Sequence, residues 1–223
     1  MNGFSVLTFA QKVLRRVPFA TLDVNCLNCL EYYPHESTAK NDDGAIVIRE
    51  GTAVDVELMA ECRNFPERLP ERFAASEYCV VGIGDGKVIG YEWFCDKPRH
   101  MEERYGYEVE IPSDAIYGYD AFVLPTYRRA GVWKSFHAQF LQDLLATLGR
   151  NRVIVMVDQN NRVSMKAHLR LGYTLYRKIY VFMICGNCFW IRRAIGRGEK
   201  KVKHASTPGT FGANTKQATD FVS

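Results

Sequence analysis

Two stretches of this chain place charged and polar side chains where phosphate and proton chemistry would use them. Tyr127-Arg128-Arg129-Ala130-Gly131-Val132-Trp133 links an apolar strand to an amphipathic helix. A glycine at such a turn, flanked by arginines, makes a compact anion site. The free N–H groups at the helix start and the positive end of its dipole can both face a phosphate there. Downstream, Asn161, Ser164, His168, Gly172 and Tyr173 follow the pattern Asn-x-x-Ser-x-x-x-His-x-x-x-Gly-Tyr. An imidazole titrates close to neutrality and so can trade protons. Two carboxylates stand inside aromatic strands, Glu92 in Tyr-Glu-Trp-Phe and Asp120 in Tyr-Asp-Ala-Phe. Desolvation there should raise a carboxyl's pKa towards a useful value.

The elements that must position these groups are legible as patterns. Ala45–Arg49 reads as a short strand, and Thr52 with Asp55 resembles a capping box for a helix that turns Leu58, Met59 and Cys62 inward. Two prolines within Phe65–Phe73 suit a broken helix or a lid-like loop. Cys79–Ile83 and Val88–Phe94 flank Gly84-Asp85-Gly86-Lys87, a hairpin signal. The Gly82-x-Gly84-x-Gly86 spacing is not a dinucleotide loop, because no helix follows it. Residues 95–115 read as a long, charged, aromatic and irregular connection. Tyr117–Leu124 is a strand, and Val132–Leu148 a helix with a core-facing stripe of Trp133, Phe136, Phe140, Leu141, Leu144, Leu145 and Leu148. Val153–Val157 is continuously apolar, as a strand buried on both faces should be. A short helix at Asn161–Arg170 and a β segment at Tyr173–Ile184 complete the series.

Composition sets the bounds. At 223 residues, 47% of them hydrophobic and 24% charged, the chain suits one α/β domain with a small appendage. The net charge of +4 resides in the tail: residues 190–223 hold seven Lys or Arg against two Asp or Glu. No basic stripe marks the folded part, so nucleic-acid binding is not expected. Seven cysteines without a secretion signal predict reduced thiols in a cytoplasmic protein. The pairs Cys26/Cys29 and Cys185/Cys188 could together offer four thiolates to zinc, but each lies in an apolar run, and packing is the expected role; no metal is predicted. No apolar run is long enough for a transmembrane helix. Phe4–Val17 has near-helical apolar spacing, residues 34–45 read as a polar linker, and the chain from about residue 197 as a disordered tail. The expected organisation is an N-terminal extension (1–45), a main domain (46–190) and a basic tail (197–223).

The paired segments of residues 119–173 resemble the coenzyme-A-binding half of the GNAT superfamily of N-acetyltransferases, with the resemblance extending over roughly 46–185. The family's phosphate loop runs Gln/Arg-x-x-Gly-x-Gly/Ala; Arg128 and Gly131 match it, whereas Trp133 replaces the last small residue. Its second signature, Asn-x-x-Ala/Ser-x-x-Leu-Tyr-x-x-x-Gly-Phe, is matched by Asn161, Ser164, Gly172 and Tyr173, with His168 at the tyrosine position. The implied fold is a mixed, mostly antiparallel sheet flanked by helices.

That resemblance implies acetyl-CoA as acyl donor and a small-molecule or peptide amine as acceptor, joined by direct attack in a ternary complex. Phosphates would meet the N–H groups of Arg129, Ala130, Gly131, Val132 and Trp133, with Arg128 or Arg129 adding charge. Asn161 and Ser164 would serve the pantetheine arm. A backbone N–H of Phe122, Val123 or Leu124 would hold the oxyanion. Glu92 or Asp120 would take the ammonium's proton, and His168 would protonate the leaving thiolate. Two other readings stay open: a longer-chain acyltransferase in peripheral contact with a membrane, and an acyl-CoA-binding domain without turnover.

Overall fold

The computed structural model describes residues 22–34, 46–60, 62, 68–128, 130–184, 187–195 and 221–222. The expected Phe4–Val17 helix, most of the 34–45 linker and most of the tail lie outside these residues. Chain contacts divide the protein into two units, one of residues 32–100 and 110–155, the other of residues 1–31, 101–109 and 156–223.

The first unit is built on β2 (Val47–Glu50), β3 (Tyr78–Gly84), β4 (Lys87–Cys95), β7 (Ala115–Val123) and the start of β8 (Arg152–Asp158), in that spatial order. All neighbours are antiparallel except β7 and β8, which run parallel from Ala115↔Arg152 to Gly118↔Val155. The β3–β4 hairpin turns through Asp85 and Gly86, both at positive φ (53° and 72°), the conformation that a tight right-twisted hairpin requires.

Alternation along the strands assigns the two faces. Cys79, Val81, Tyr91 and Trp93 pack with Met59, Cys62 and Leu69 from the region of α1 (Val56–Ala60) and α2 (Arg68–Ala74). Burying each large side chain of this kind contributes about 1.5–3 kcal/mol. Gly82 points the other way, where an added Cβ would lie 3.1 Å from Val132 and 3.2 Å from Phe136. The glycine therefore lets a helix approach the strand. That helix runs as α3 (Val132–Phe136), a π-helical turn (His137–Leu141) and α4 (Gln142–Thr147).

Thr52 and Asp55 pair as expected: the Asp55 carboxylate accepts from the Thr52 backbone N–H at 2.8 Å. It also receives both terminal nitrogens of Arg49, at 2.6 and 2.8 Å. The inward turning of Leu58 does not occur; it is 42% exposed while Met59 is fully buried. The chain enters through a 3-10 turn (Ala53–Asp55), and the five-residue α1 that follows presents Val56 and Met59 to the core instead.

In the second unit, β1 (Leu22–Tyr32) lies antiparallel to β9 (Thr174–Ile184), which pairs antiparallel with β10 (Asn187–Ala194). Phe221 and Val222 form a short parallel strand, β11, against β10. The charged, aromatic connection of residues 95–115 is not irregular: β5 (Arg99–Glu102) and β6 (Tyr107–Glu110) form a two-stranded sheet around a 3-10 turn. Alternating burial of Tyr107 and Val109 explains the strand. α5 (Arg162–Leu171) closes with Gly172 in the left-handed conformation. No helix among the described residues is long and apolar enough to cross a membrane.

Candidate active site

Glu92 lies mid-β4, 1% exposed, on the face covered by α3. Its Oε2 accepts a hydrogen bond from the indole Nε1 of Trp133 at 2.9 Å. Across the sheet Gly118 leaves the carboxyl its space, since a Cβ there would stand 3.4 Å from Oε1. Burial pushes the carboxyl up to about 8, against a smaller lowering by the indole bond. His137, one turn beyond Trp133, brings Nδ1 within 4.0 Å of Oε2 and within 3.2 Å of the Trp133 carbonyl. A carbonyl only accepts, so the proton on Nδ1 is directed there. The Trp133 and His137 rings meet edge-on at 4.5 Å. The site is thus a buried acid held by an indole and flanked by an imidazole.

β7 is irregular opposite this carboxyl. Tyr91 pairs with Phe122 and Trp93 with Tyr119, so Asp120 and Ala121 together oppose Glu92. Such a bulge re-aims backbone groups and bends the strand. Asp120 adopts a φ of 50°, uncommon for a residue other than glycine. Its carboxylate is ion-paired with Arg72 of α2, whose guanidinium also lies 5.3 Å from the Trp93 ring centre and 5.0 Å from that of Tyr119. Glu92 and Asp120 therefore serve different neighbours, one an indole and the other a guanidinium.

The turn after β7 brings Arg128, Ala130 and Gly131, expected from the sequence to face an anion, to the start of α3. Arg128 Nε donates to the Val123 carbonyl at 3.0 Å, and its guanidinium carbon lies 5.9 Å from the Phe122 ring centre. The Leu124 N–H donates to Ile89 at 2.8 Å, and the Ala130 N–H to Tyr127 at 3.1 Å. Gly131 occupies the N-cap position of α3 at φ 79° with no side-chain cap, and an added Cβ would meet nothing within 4 Å. Val132 is buried against β3, and Trp133 turns its ring inward to Glu92. Arg129 lies outside the described residues.

Asn161, Ser164 and His168 belong to the second unit and come together on α5. The Asn161 side chain caps the helix by accepting from the Ser164 N–H at 3.1 Å. His168 Nδ1 lies 2.8 Å from the Ser164 carbonyl and 3.3 Å from its hydroxyl. The ring meets Tyr173 edge-on at 4.8 Å. Burial lowers its pKa to about 4, so the ring is neutral at pH 7.

Three participants escaped the sequence reading: Trp133 as hydrogen-bond donor, His137 and Arg72. His137 had a local signal, being a polar residue one turn from Trp133 on the buried face. The other two had none, because their partners are 41 and 48 residues away.

No family model and no curated protein sequence matches this chain. Solved structures do. A functionally unknown conserved protein from Staphylococcus epidermidis aligns over 78% of this chain and 66% of its own, with a TM-score of 0.54. A tandem GNAT protein from the clavulanic acid biosynthesis pathway aligns over 79% and 55%, at 0.52. A GCN5-related glucosamine N-acetyltransferase region of a fungal multi-domain β-N-acetylglucosaminidase aligns over 78% and 22%, at 0.55. Each is 12% identical to this chain, which spans 66% or less of their lengths. At that identity the likeness is one of fold, and it agrees with the mixed, mostly antiparallel sheet and flanking helices described above: the chain is built on the GNAT N-acetyltransferase fold.

Proposed function

We propose that this protein transfers an acetyl group from acetyl-CoA to a primary amine by direct attack in a ternary complex. The observation that carries the reading is the bulge in β7 facing a buried carboxyl, followed by a helix whose start has no side-chain cap. The N–H groups around Gly131, Val132 and Trp133, with the charge of Arg128, suit a pyrophosphate. Ala130 lies in the same turn, its N–H donating to the Tyr127 carbonyl, and Arg129 precedes it in sequence. Asn161 and Ser164 are assigned to the pantetheine arm, as the family resemblance implies.

The amine nitrogen attacks the thioester carbonyl, a C–N bond forms, and the C–S bond breaks as electrons pass to sulfur. The backbone N–H of Val123 is the better oxyanion donor, since that of Leu124 is engaged with Ile89 and that of Phe122, two residues earlier in the same antiparallel ladder, faces Tyr91. Glu92 takes the ammonium's proton through an intervening water. Its raised pKa makes it a stronger base than an ordinary carboxylate once ionised. Asp120, held by Arg72, fits a positioning role on the bulge. His168 directs its Nδ1 proton to the Ser164 carbonyl, an arrangement suited to bracing α5 more than to protonating a thiolate.

The neighbour named as a glucosamine N-acetyltransferase region supports an amine acceptor in general terms. The test is release of free thiol from acetyl-CoA in the presence of a panel of primary amines, with longer acyl donors alongside. Amine-dependent thiol release, greatest with the acetyl donor, supports the reading. Tight acyl-CoA binding without release from any amine would leave a binding domain instead, and preference for long chains would change the donor.

A further inference from the structure

Away from Glu92, a second set of side chains in the same unit has the makings of a metal site. Glu77, Cys95 and His100 each offer one ligand atom, and those atoms all lie within 4.8 Å of one another. They arrive from three separate elements. Ser76, at φ 57°, turns the chain out of α2 and delivers Glu77 just before β3. Cys95 ends β4, where it pairs with Tyr117 and is 1% exposed. His100 lies in β5, its ring 5.0 Å from that of Tyr117 and 4.3 Å from that of Tyr119.

We propose that Glu77, Cys95 and His100 bind a zinc ion, leaving its fourth position to water or to an oxygen of a ligand. Thiolate, imidazole and carboxylate are the donor types zinc prefers, and three protein ligands with one open position is a common tetrahedral arrangement. Zinc–ligand bonds of about 2.0–2.3 Å set neighbouring donor atoms roughly 3.3–3.6 Å apart in a tetrahedron. Closure from the observed spacing takes a shift of about 1 Å, within the reach of the Glu77 and His100 torsions.

The surroundings support those ligands. The Tyr119 hydroxyl donates to Oε2 of Glu77, an outer hydrogen bond of the kind that orients a ligating carboxylate. Tilted ring contacts with Tyr117 and Tyr119 restrain the imidazole. Lys97 approaches Oε1 of Glu77 only to 4.0 Å, and its half-exposed side chain is free to swing out as a cation enters. The spacing Glu77-x17-Cys95-x4-His100 matches no familiar zinc signature, so it is the fold that assembles the set.

The full chain, stripped of metal, should be titrated with zinc against a chromophoric chelator, then with cobalt(II) as a spectroscopic stand-in. One equivalent of zinc per chain is expected, with a sulfur-to-cobalt charge-transfer band. Cys95→Ser should remove the band, and both Cys95→Ser and His100→Ala should weaken zinc by more than about 100-fold, while Tyr119→Phe should weaken it about 10-fold. Cys26→Ser, in another element, should change nothing. Circular dichroism checks that the variants fold; if Cys95→Ser does not, His100→Ala and Glu77→Gln decide. No stoichiometric zinc, or equal affinity in the folded variants, overturns the proposal. The readout is metal and not turnover, so it stands or falls apart from acetyl transfer.

Discussion

The indole nitrogen of Trp133 donates to the buried carboxyl of Glu92 at 2.9 Å, joining the start of α3 to the middle of β4. In the family pattern a small residue stands where this tryptophan does. Here the side chain turns inward and holds the buried carboxyl. Trp133→Phe keeps most of the packing and deletes the donor. The indole bond favours the ionised carboxyl, so its loss should move the alkaline-rising limb of the pH–rate profile upward from about pH 8. A shift of about one unit is expected for a hydrogen bond to a charged group. An unmoved limb would separate the indole from the titrating group.

Glu92→Gln should lower turnover by at least about 100-fold while leaving acetyl-CoA affinity within a few-fold. Its stability should report the same carboxyl. The folded pKa of about 8 lies above the ordinary value of 4.5, so the folded state retains the proton through the window between them. Stability from this group is full below about pH 4.5, falls as pH rises towards 8, and levels off above. Glutamine mimics the protonated acid and lacks that fall. Urea unfolding at pH 5 and pH 9 should therefore show the wild type losing several kcal/mol relative to the variant, on the order of 1.4 kcal/mol per pH unit within the window. Parallel pH dependences would contradict the raised pKa.

Asp120→Asn separates the two carboxylates. Removing the partner of Arg72 leaves a largely buried guanidinium uncompensated, which should cost about 3 kcal/mol of stability. The midpoint of the alkaline limb should stay in place. If the limb disappears instead, Asp120 is the base and Glu92 is not.

Asp55 offers a control on a carboxyl to which no proton-transfer role is given. Hydrogen bonds from Arg49, with those from Thr52, hold its carboxyl near 2, below the ordinary 3.8. Its contribution is present above about pH 3.8 and lost as pH falls through 2. Asp55→Asn should cost about 1 kcal/mol at pH 7, in the range of a lost helix cap, and progressively less below pH 4. Chemical denaturation at pH 7 and pH 3 checks it; a cost that does not shrink in acid would argue against the pairing.

The strand-turn-helix geometry around Gly131 was legible because its signal is local. Arg128 and Gly131 sit three residues apart between a strand and a helix, and the left-handed Gly131 at φ 79° meets the demand that the glycine implied. The β3–β4 hairpin was legible for the same reason, through Asp85-Gly86. Glu92 stood out as an acid in an aromatic strand, but its partners could not be read. Trp133 looked like one more apolar residue of a helical stripe, and the π turn at His137–Leu141 alters the phase of that stripe. Leu58 was misplaced because a 3-10 entry rotates a short helix by an amount that composition does not encode. The β5–β6 sheet was hidden by its charge: only Tyr107 and Val109 of β6 are buried, and the surrounding glutamates and arginines read as loop. Local chemistry was visible in sequence, whereas pairings between distant elements were not.

The proposed transfer requires the turn at Gly131 to receive the phosphates of coenzyme A. Calorimetric titration of acetyl-CoA into the wild type and Gly131→Ala measures that step. The added methyl meets no neighbour, so its stability cost is the left-handed backbone alone, about 1 kcal/mol, and the variant should fold. Micromolar, one-to-one binding by the wild type and at least tenfold weaker binding by the folded variant are the predicted result. Absence of binding to the wild type, or equal binding by both proteins, would contradict it.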